Sequence, residues 1–144
     1  MNTTTITSTA NVADVAGRVL ISAMFLTSGL GKIAGYAGTQ AFMASAGVPG
    51  ALLPLVIALE VFGAIAVIVG YRTRIAAAAL AGFTVVAAVL FHSGDDPMQK
   101  LLFMKNIAIA GGFLLLVARG AGEWSLDARR ERLTGTRDPL AVRP

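Results

Sequence analysis

Apolar residues fall in four runs, at about 15–33, 51–70, 75–91 and 101–118, separated by short joints that are polar or hold glycine and proline. At a rise of ~1.5 Å per residue, each run is about 26–30 Å long as a helix, close to the thickness of a bilayer's hydrocarbon core. The pattern predicts four transmembrane helices and an all-α, integral membrane four-helix bundle. In the first run only residues 19–31 are free of charge, because Arg18 and Lys32 close the stretch on either side. It spans the core if both side chains snorkel to opposite interfaces.

The joints set the connectivity. Residues 36–50 are uncharged and rich in small side chains, and 39–46 can form a short interfacial helix carrying Phe42 and Met43. Gly47-Val48-Pro49-Gly50 stops it, and Pro54 falls in the tolerated first turn of the next helix. Gly70-Tyr71-Arg72-Thr73-Arg74 is so short that the second and third helices must be antiparallel neighbours. Ser93-Gly94-Asp95-Asp96-Pro97 makes another turn. The chain thus divides into a polar segment 1–14, a transmembrane domain 15–118 and a basic tail 119–144, on which Trp124 and Leu126 can rest against the membrane surface. A cleaved signal peptide is disfavoured: residues 1–13 lack its basic start, and Lys32 interrupts its cleavage zone.

Composition removes the competing classes. Hydrophobic residues make up 56% of the 144 and charged residues 14%, against about 25% charged in a soluble domain. That is too little polar surface to cover a globule in water. With no cysteine, a disulfide-stapled domain and dithiol exchange by the chain itself are both excluded. The net charge of +4 and pI near 10.1 suggest nucleic acid, but the basic residues sit at segment ends or in the tail, with no recognition motif, so no nucleic-acid partner is expected. Arg18, Arg72, Arg74, Arg119, Arg129, Arg130, Arg132, Arg137 and Arg143 share the side of the termini, against Lys32 and Lys100 on the other. This imbalance predicts a multi-pass protein with cytoplasmic N- and C-termini.

A few polar residues are expected inside the membrane. Glu60 lies about 13 Å below the outer end of the second helix, and Lys105 and Asn106 about 6–8 Å into the fourth. Lys32 closes the first helix with Ser28 one turn deeper on the same face, and His92 ends the third above Thr84 and Ala88. These groups fall in the outer half of the bundle, and the inner half is expected to offer almost nothing polar. An ionised carboxylate at that depth must face the bundle and be paired, or be protonated. By depth Lys105 is the first choice of partner for Glu60 and Lys32 the second. A pair that only fixes helix packing is the alternative. Taken singly, Lys32 reads as snorkelling, His92 as interfacial, and Asn106 as a hydrogen-bond former between helices. Gly63, Gly70, Gly111 and Gly112 read as sites of close helix approach. One histidine cannot provide paired haem ligands, and no zinc set or phosphate-binding loop occurs, so neither a metal nor an intrinsic cofactor is expected.

Several motifs occur in order: Phe25-Leu26-Thr27-Ser28-Gly29-Leu30-Gly31-Lys32, Tyr36-Ala37-Gly38-Thr39-Gln40, Gly47-Val48-Pro49-Gly50, Leu59-Glu60 with Gly63 and Gly70, Phe91-His92, and Phe103-Met104-Lys105-Asn106-Ile107-Ala108. Over roughly residues 17–118 this set resembles the DoxX family of small four-helix bacterial membrane proteins, in its single-domain inner-membrane branch. The resemblance implies an inner-membrane protein linked to oxidoreduction, since the family takes its name from a thiosulfate:quinone oxidoreductase subunit. Its motif positions here are Lys32, Glu60, His92, Lys105 and Asn106, with no assigned catalytic role to transfer.

The expectation is a quinone-linked protein or a membrane partner of a redox enzyme, lying in the lipid bilayer alone or as a homo-oligomer. Glu60 and Lys105 are the candidate acid and its partner, and Ser28, Lys32, His92 and Asn106 are candidates for a pocket holding a quinone headgroup. A non-catalytic scaffold or assembly partner is the alternative. A small permeation or proton pathway is a third reading, opposed by the expected lack of polar residues in the inner half.

Overall fold

The computed structural model describes residues 3–135, and among these all regular structure is helical. The helices are α1 (Thr3–Ala34), α2 (Tyr36–Ser45), α3 (Leu53–Val69), α4 (Thr73–Phe91), α5 (Pro97–Arg119) and α6 (Leu126–Thr134), with a 3-10 turn at Gly50–Leu52 leading into α3. Four stretches are long and apolar enough to cross a membrane: Ser8–Ala34, Gly50–Val69, Thr73–Phe91 and Pro97–Arg119. The all-α membrane architecture is therefore as expected. α1 packs on α3, α3 on α4 and α4 on α5, and α1 touches α5, so the four spans close into an up-and-down bundle.

Local chemistry explains most helix ends. Pro54 sits in the first turn of α3, and Gly70 ends that helix at φ 72°, a left-handed conformation that costs glycine little. The Asp96 carboxylate caps α5, accepting from the amides of Met98 at 2.9 Å and Gln99 at 3.1 Å, and Pro97 follows at the position where a missing N–H is harmless.

At the end of the bundle that carries the termini, by contrast, three helix ends are completed by side chains from distant elements. Arg18 of α1 donates to the carbonyls of Val67 and Ile68, the last turn of α3. Arg74 donates to the carbonyls of Val117 and Ala118 at the end of α5. Asp127 of α6 accepts from the amides of Arg72 and Thr73 at 2.7 and 2.9 Å and from the Thr73 hydroxyl at 2.8 Å, capping α4. Each charge complements the dipole of the helix it completes. Asp127→Ala is accordingly expected to cost about 1–2 kcal/mol and Asp127→Asn less, read as loss of helicity on heating the protein in detergent. Equal melting of all three proteins would show that the cap contributes nothing.

Both flanks of the four spans are ordered against the bundle. Residues 3–14 form the start of α1: residues 3–16 hold no glycine or proline to interrupt a helix, and the chain after α5 lies against them. A side chain at Gly122 would run into Asp14, and Trp124 shares a groove with Val12, Val15 and Ala16. The tail is likewise no free appendage, since residues 120–127 are bound into the end of the bundle. Arg137 and Arg143, counted above with the basic residues, lie outside the described residues.

The core is small-residue rich. Ala64, Val67, Ala77, Leu80, Ala81 and Ala110 surround Phe25 and Phe113, whose rings meet edge to face at 5.3 Å. Alanine lets backbones approach closely in lipid, where helix association depends on van der Waals contact rather than on water exclusion. Gly63 and Gly112 act in the same way against Leu80 and Ile21, but Gly111 faces open space and has no such role.

Candidate functional site

The closest approach of α1 and α3 builds the site. A Cβ on Gly29 would lie 2.7 Å from the Val61 side chain and 3.2 Å from Cβ of Glu60, so only glycine leaves room for α3 there. Ser28, the residue before it, and Lys32, one turn later, lie on the same side of α1, and both reach Glu60. Lys32 Nζ donates to both carboxylate oxygens, at 2.9 and 2.8 Å, and to Ser28 Oγ at 2.6 Å. Ser28 Oγ in turn donates to Glu60 Oε1 at 3.3 Å.

The electrostatics follow from burial. The Glu60 side chain is 4% exposed and that of Lys32 24%, so the carboxylate is enclosed while its counter-ion is partly exposed. Desolvating a carboxylate is costly, and the matched charge with three hydrogen bonds offsets that cost.

Lys105, the first choice of partner, is exposed and makes no hydrogen bond or ion pair with Glu60. Counting residues along two helices places groups at one depth but says nothing of the direction in which each faces. Lys32 holds the place by facing α3, and it is engaged there rather than snorkelling. Asn106 is buried on α5. His92 Nδ1 donates to Gln99 Oε1 at 3.0 Å, tying the end of α4 to the first turn of α5. Among the described residues no hydrogen bond joins Asn106, His92 or Lys105 to the Ser28–Lys32–Glu60 group. Nearby, α2 lies over the same end of the bundle with Met43 buried and Phe42 stacked on Phe91 at 5.3 Å.

The expectation of an apolar inner half is overturned. Arg18 is 1% exposed, Ser22 and Thr73 are fully enclosed, and Asn11 is buried beyond them. Arg18 does not snorkel: besides the α3 carbonyls, it holds the carbonyl of Trp124 at 2.7 Å. The signal was present in the spacing, for Asn11, Arg18, Ser22, Phe25 and Gly29 recur on a single helical face, and a face that ends in a core phenylalanine and a contact glycine is the buried one.

A family model described as DoxX matches residues 13–93. The chain belongs to the DoxX family. The DoxX match takes in Ser28, Lys32, Glu60 and His92 and ends before Lys105 and Asn106, so it covers the group the fold assembles and not the residue the fold leaves outside. Two relatives agree along most of their length. The chain is 49% identical over 118 residues to inner membrane protein YqjF of Escherichia coli (strain K12), covering 81% of this chain and 91% of that protein. It is 38% identical over 120 residues to inner membrane protein YphA of the same organism, covering 78% and 86%. No solved structure matches it. With its four apolar helices, this DoxX protein is a multi-pass inner-membrane protein.

Proposed function

We propose that this DoxX-family protein takes part in oxidoreduction in the inner membrane, with Ser28, Lys32 and Glu60 forming the place where a quinone headgroup is held and its proton exchanged. The observation that carries the reading is a buried carboxylate whose lysine counter-ion is partly exposed. The donor set suits a quinone carbonyl, since the Lys32 ammonium and the Ser28 hydroxyl are both hydrogen-bond donors in a poorly hydrated setting. Glu60 would gain or release the accompanying proton. A bound quinone would supply the two-electron chemistry for which the chain, with no cysteine and one histidine, has no groups of its own. The electron donor would then be a redox enzyme that meets the short loops or the tail, with the termini cytoplasmic because the basic residues concentrate at that end.

The test is quinone binding to the purified full-length protein in detergent, for wild type and for Glu60→Gln. Losing a hydrogen-bonded charge should weaken binding by at least about tenfold, with helicity unchanged. A protein that binds no quinone, or whose binding ignores Glu60→Gln, overturns the reading. One observation favours a non-catalytic membrane module instead: both Glu60 oxygens are already satisfied by Lys32, so the group is complete as a clamp. In that case Glu60→Gln would leave co-purification of a partner enzyme intact, whereas removing the chain beyond Gly135 would abolish it.

A further inference from the structure

α6 is too short and too polar to cross the membrane, yet its charges are sorted by side. Asp127 faces the bundle, where it caps α4, and Glu131, one turn later, is half-buried on the same side. At ~3.6 residues per turn, Arg129, Arg132 and Leu133 fall on the opposite face, with Leu126 at its edge and Arg130 on the flank between it and Asp127. All five of these side chains are exposed. An exposed surface of three arginines and two leucines, with the acids turned inward, has the wrong apolar content for a merely solvated helix and the right charge for phosphate.

Just before this helix in the chain, Trp124 helps to line an apolar groove of about 410 Å³, whose other walls are Val12, Val15, Ala16, Val19 and Leu20 of α1. Its depth can be read from Arg18, which is level with the last turn of α3. Leu20 lies about 3 Å below that level and Val12 about 9 Å above it, at ~1.5 Å per residue. The groove therefore begins inside the hydrocarbon edge and rises into the headgroup zone, where tryptophan is favoured. Only four residues lie between Trp124 and Arg129, which brings a phosphate at the groove mouth within reach of the Arg129 side chain.

We propose that this end of the protein is a binding site for an anionic phospholipid, with one acyl chain in the α1 groove against Trp124 and the phosphate on the arginines of α6. The occupant is a lipid rather than a second protein because the apolar groove ends at Trp124, and the helix that follows directly in the chain carries the cationic surface that suits a phosphate. This inference is independent of what the Glu60 group does.

Trp124 is the sole tryptophan, so its emission reports the groove mouth alone. The full chain would be reconstituted in phosphatidylcholine vesicles containing a minor fraction of either phosphatidylglycerol or phosphatidylcholine with brominated chains. Brominated phosphatidylglycerol should quench Trp124 more strongly, with a relative occupancy higher by about fivefold for each arginine that meets phosphate. The preference should vanish in the triple variant Arg129→Gln, Arg130→Gln, Arg132→Gln. Ala16→Leu, which fills the groove without adding charge, should lower quenching by either brominated lipid. Equal quenching by the two lipids in the wild type, as an acidic protein partner for α6 would give, overturns the proposal. So does a preference that survives the triple variant, or quenching indifferent to Ala16→Leu.

Discussion

Lys32→Met is expected to destabilise the bundle by about 3–5 kcal/mol, because it leaves a carboxylate enclosed between α1 and α3 with its charge unmatched. Glu60 would keep only the Ser28 hydroxyl, at 3.3 Å, and would have to take up a proton or draw water into a helix contact that Gly29 keeps tight. The double variant Lys32→Met, Glu60→Leu should recover most of the loss, since a buried pair exchanged for apolar side chains of similar size is often neutral. Detergent or thermal unfolding, followed by helicity, measures both. A cost below about 1 kcal/mol for the single variant would mean the pair behaves as an exposed one.

Arg18→Met is expected to cost about 2–4 kcal/mol, less than the sum of the separate bonds. The guanidinium serves three carbonyls at once, those of Val67 and Ile68 at 3.3 and 3.0 Å and that of Trp124 at 2.7 Å, and a hydrogen bond from a charged donor is worth about 1.5–3 kcal/mol. Arg18→Lys should fail as well, because one ammonium cannot reproduce a fork directed at both the end of α3 and the loop carbonyl of Trp124. Truncation supplies an internal control. Ending the chain after Gly122 removes the Trp124 carbonyl and the Asp127 cap together and should cost at least as much as Arg18→Met. If that truncation melts like the wild type, the strap from 120 to 127 is not part of the fold. The same comparison shows why a search for partners of the tail must cut beyond Gly135: an earlier cut loosens the bundle itself.

Much of this architecture could be read from the sequence, and the exceptions share one cause. The four spans, the stop at Gly47, the proline start of α3 and the tight α3–α4 turn are local properties, carried by composition over a turn or a helix length. The Ser28–Lys32 relation was legible too, because a four-residue spacing fixes a shared face. Whether Lys32 or Lys105 meets Glu60 depends on the rotation of whole helices about their axes, which the packing of Gly29 on Val61 settles and which depth alone cannot. Arg18 was harder still. Its acceptors lie 49, 50 and 106 residues away, so an arginine at the edge of an apolar run looked like a membrane-boundary residue. Asp127 was hidden in the same way, as one acid in an arginine-rich tail.

The strap also imposes an order on assembly. Arg18 emerges from the ribosome first, the carbonyls of Val67 and Ile68 follow, and the Trp124 carbonyl and the Asp127 cap arrive only after every span has been made. Asp127 also donates its amide to the Gly70 carbonyl at 2.8 Å, so the α3–α4 hairpin, inserted midway through synthesis, waits for a residue near the end of the chain before its turn is closed. A nascent chain halted at the end of α5 already holds four apolar segments but lacks the last of the three carbonyls that its first arginine serves. In this protein the last stretch to be translated locks what the bilayer has already received.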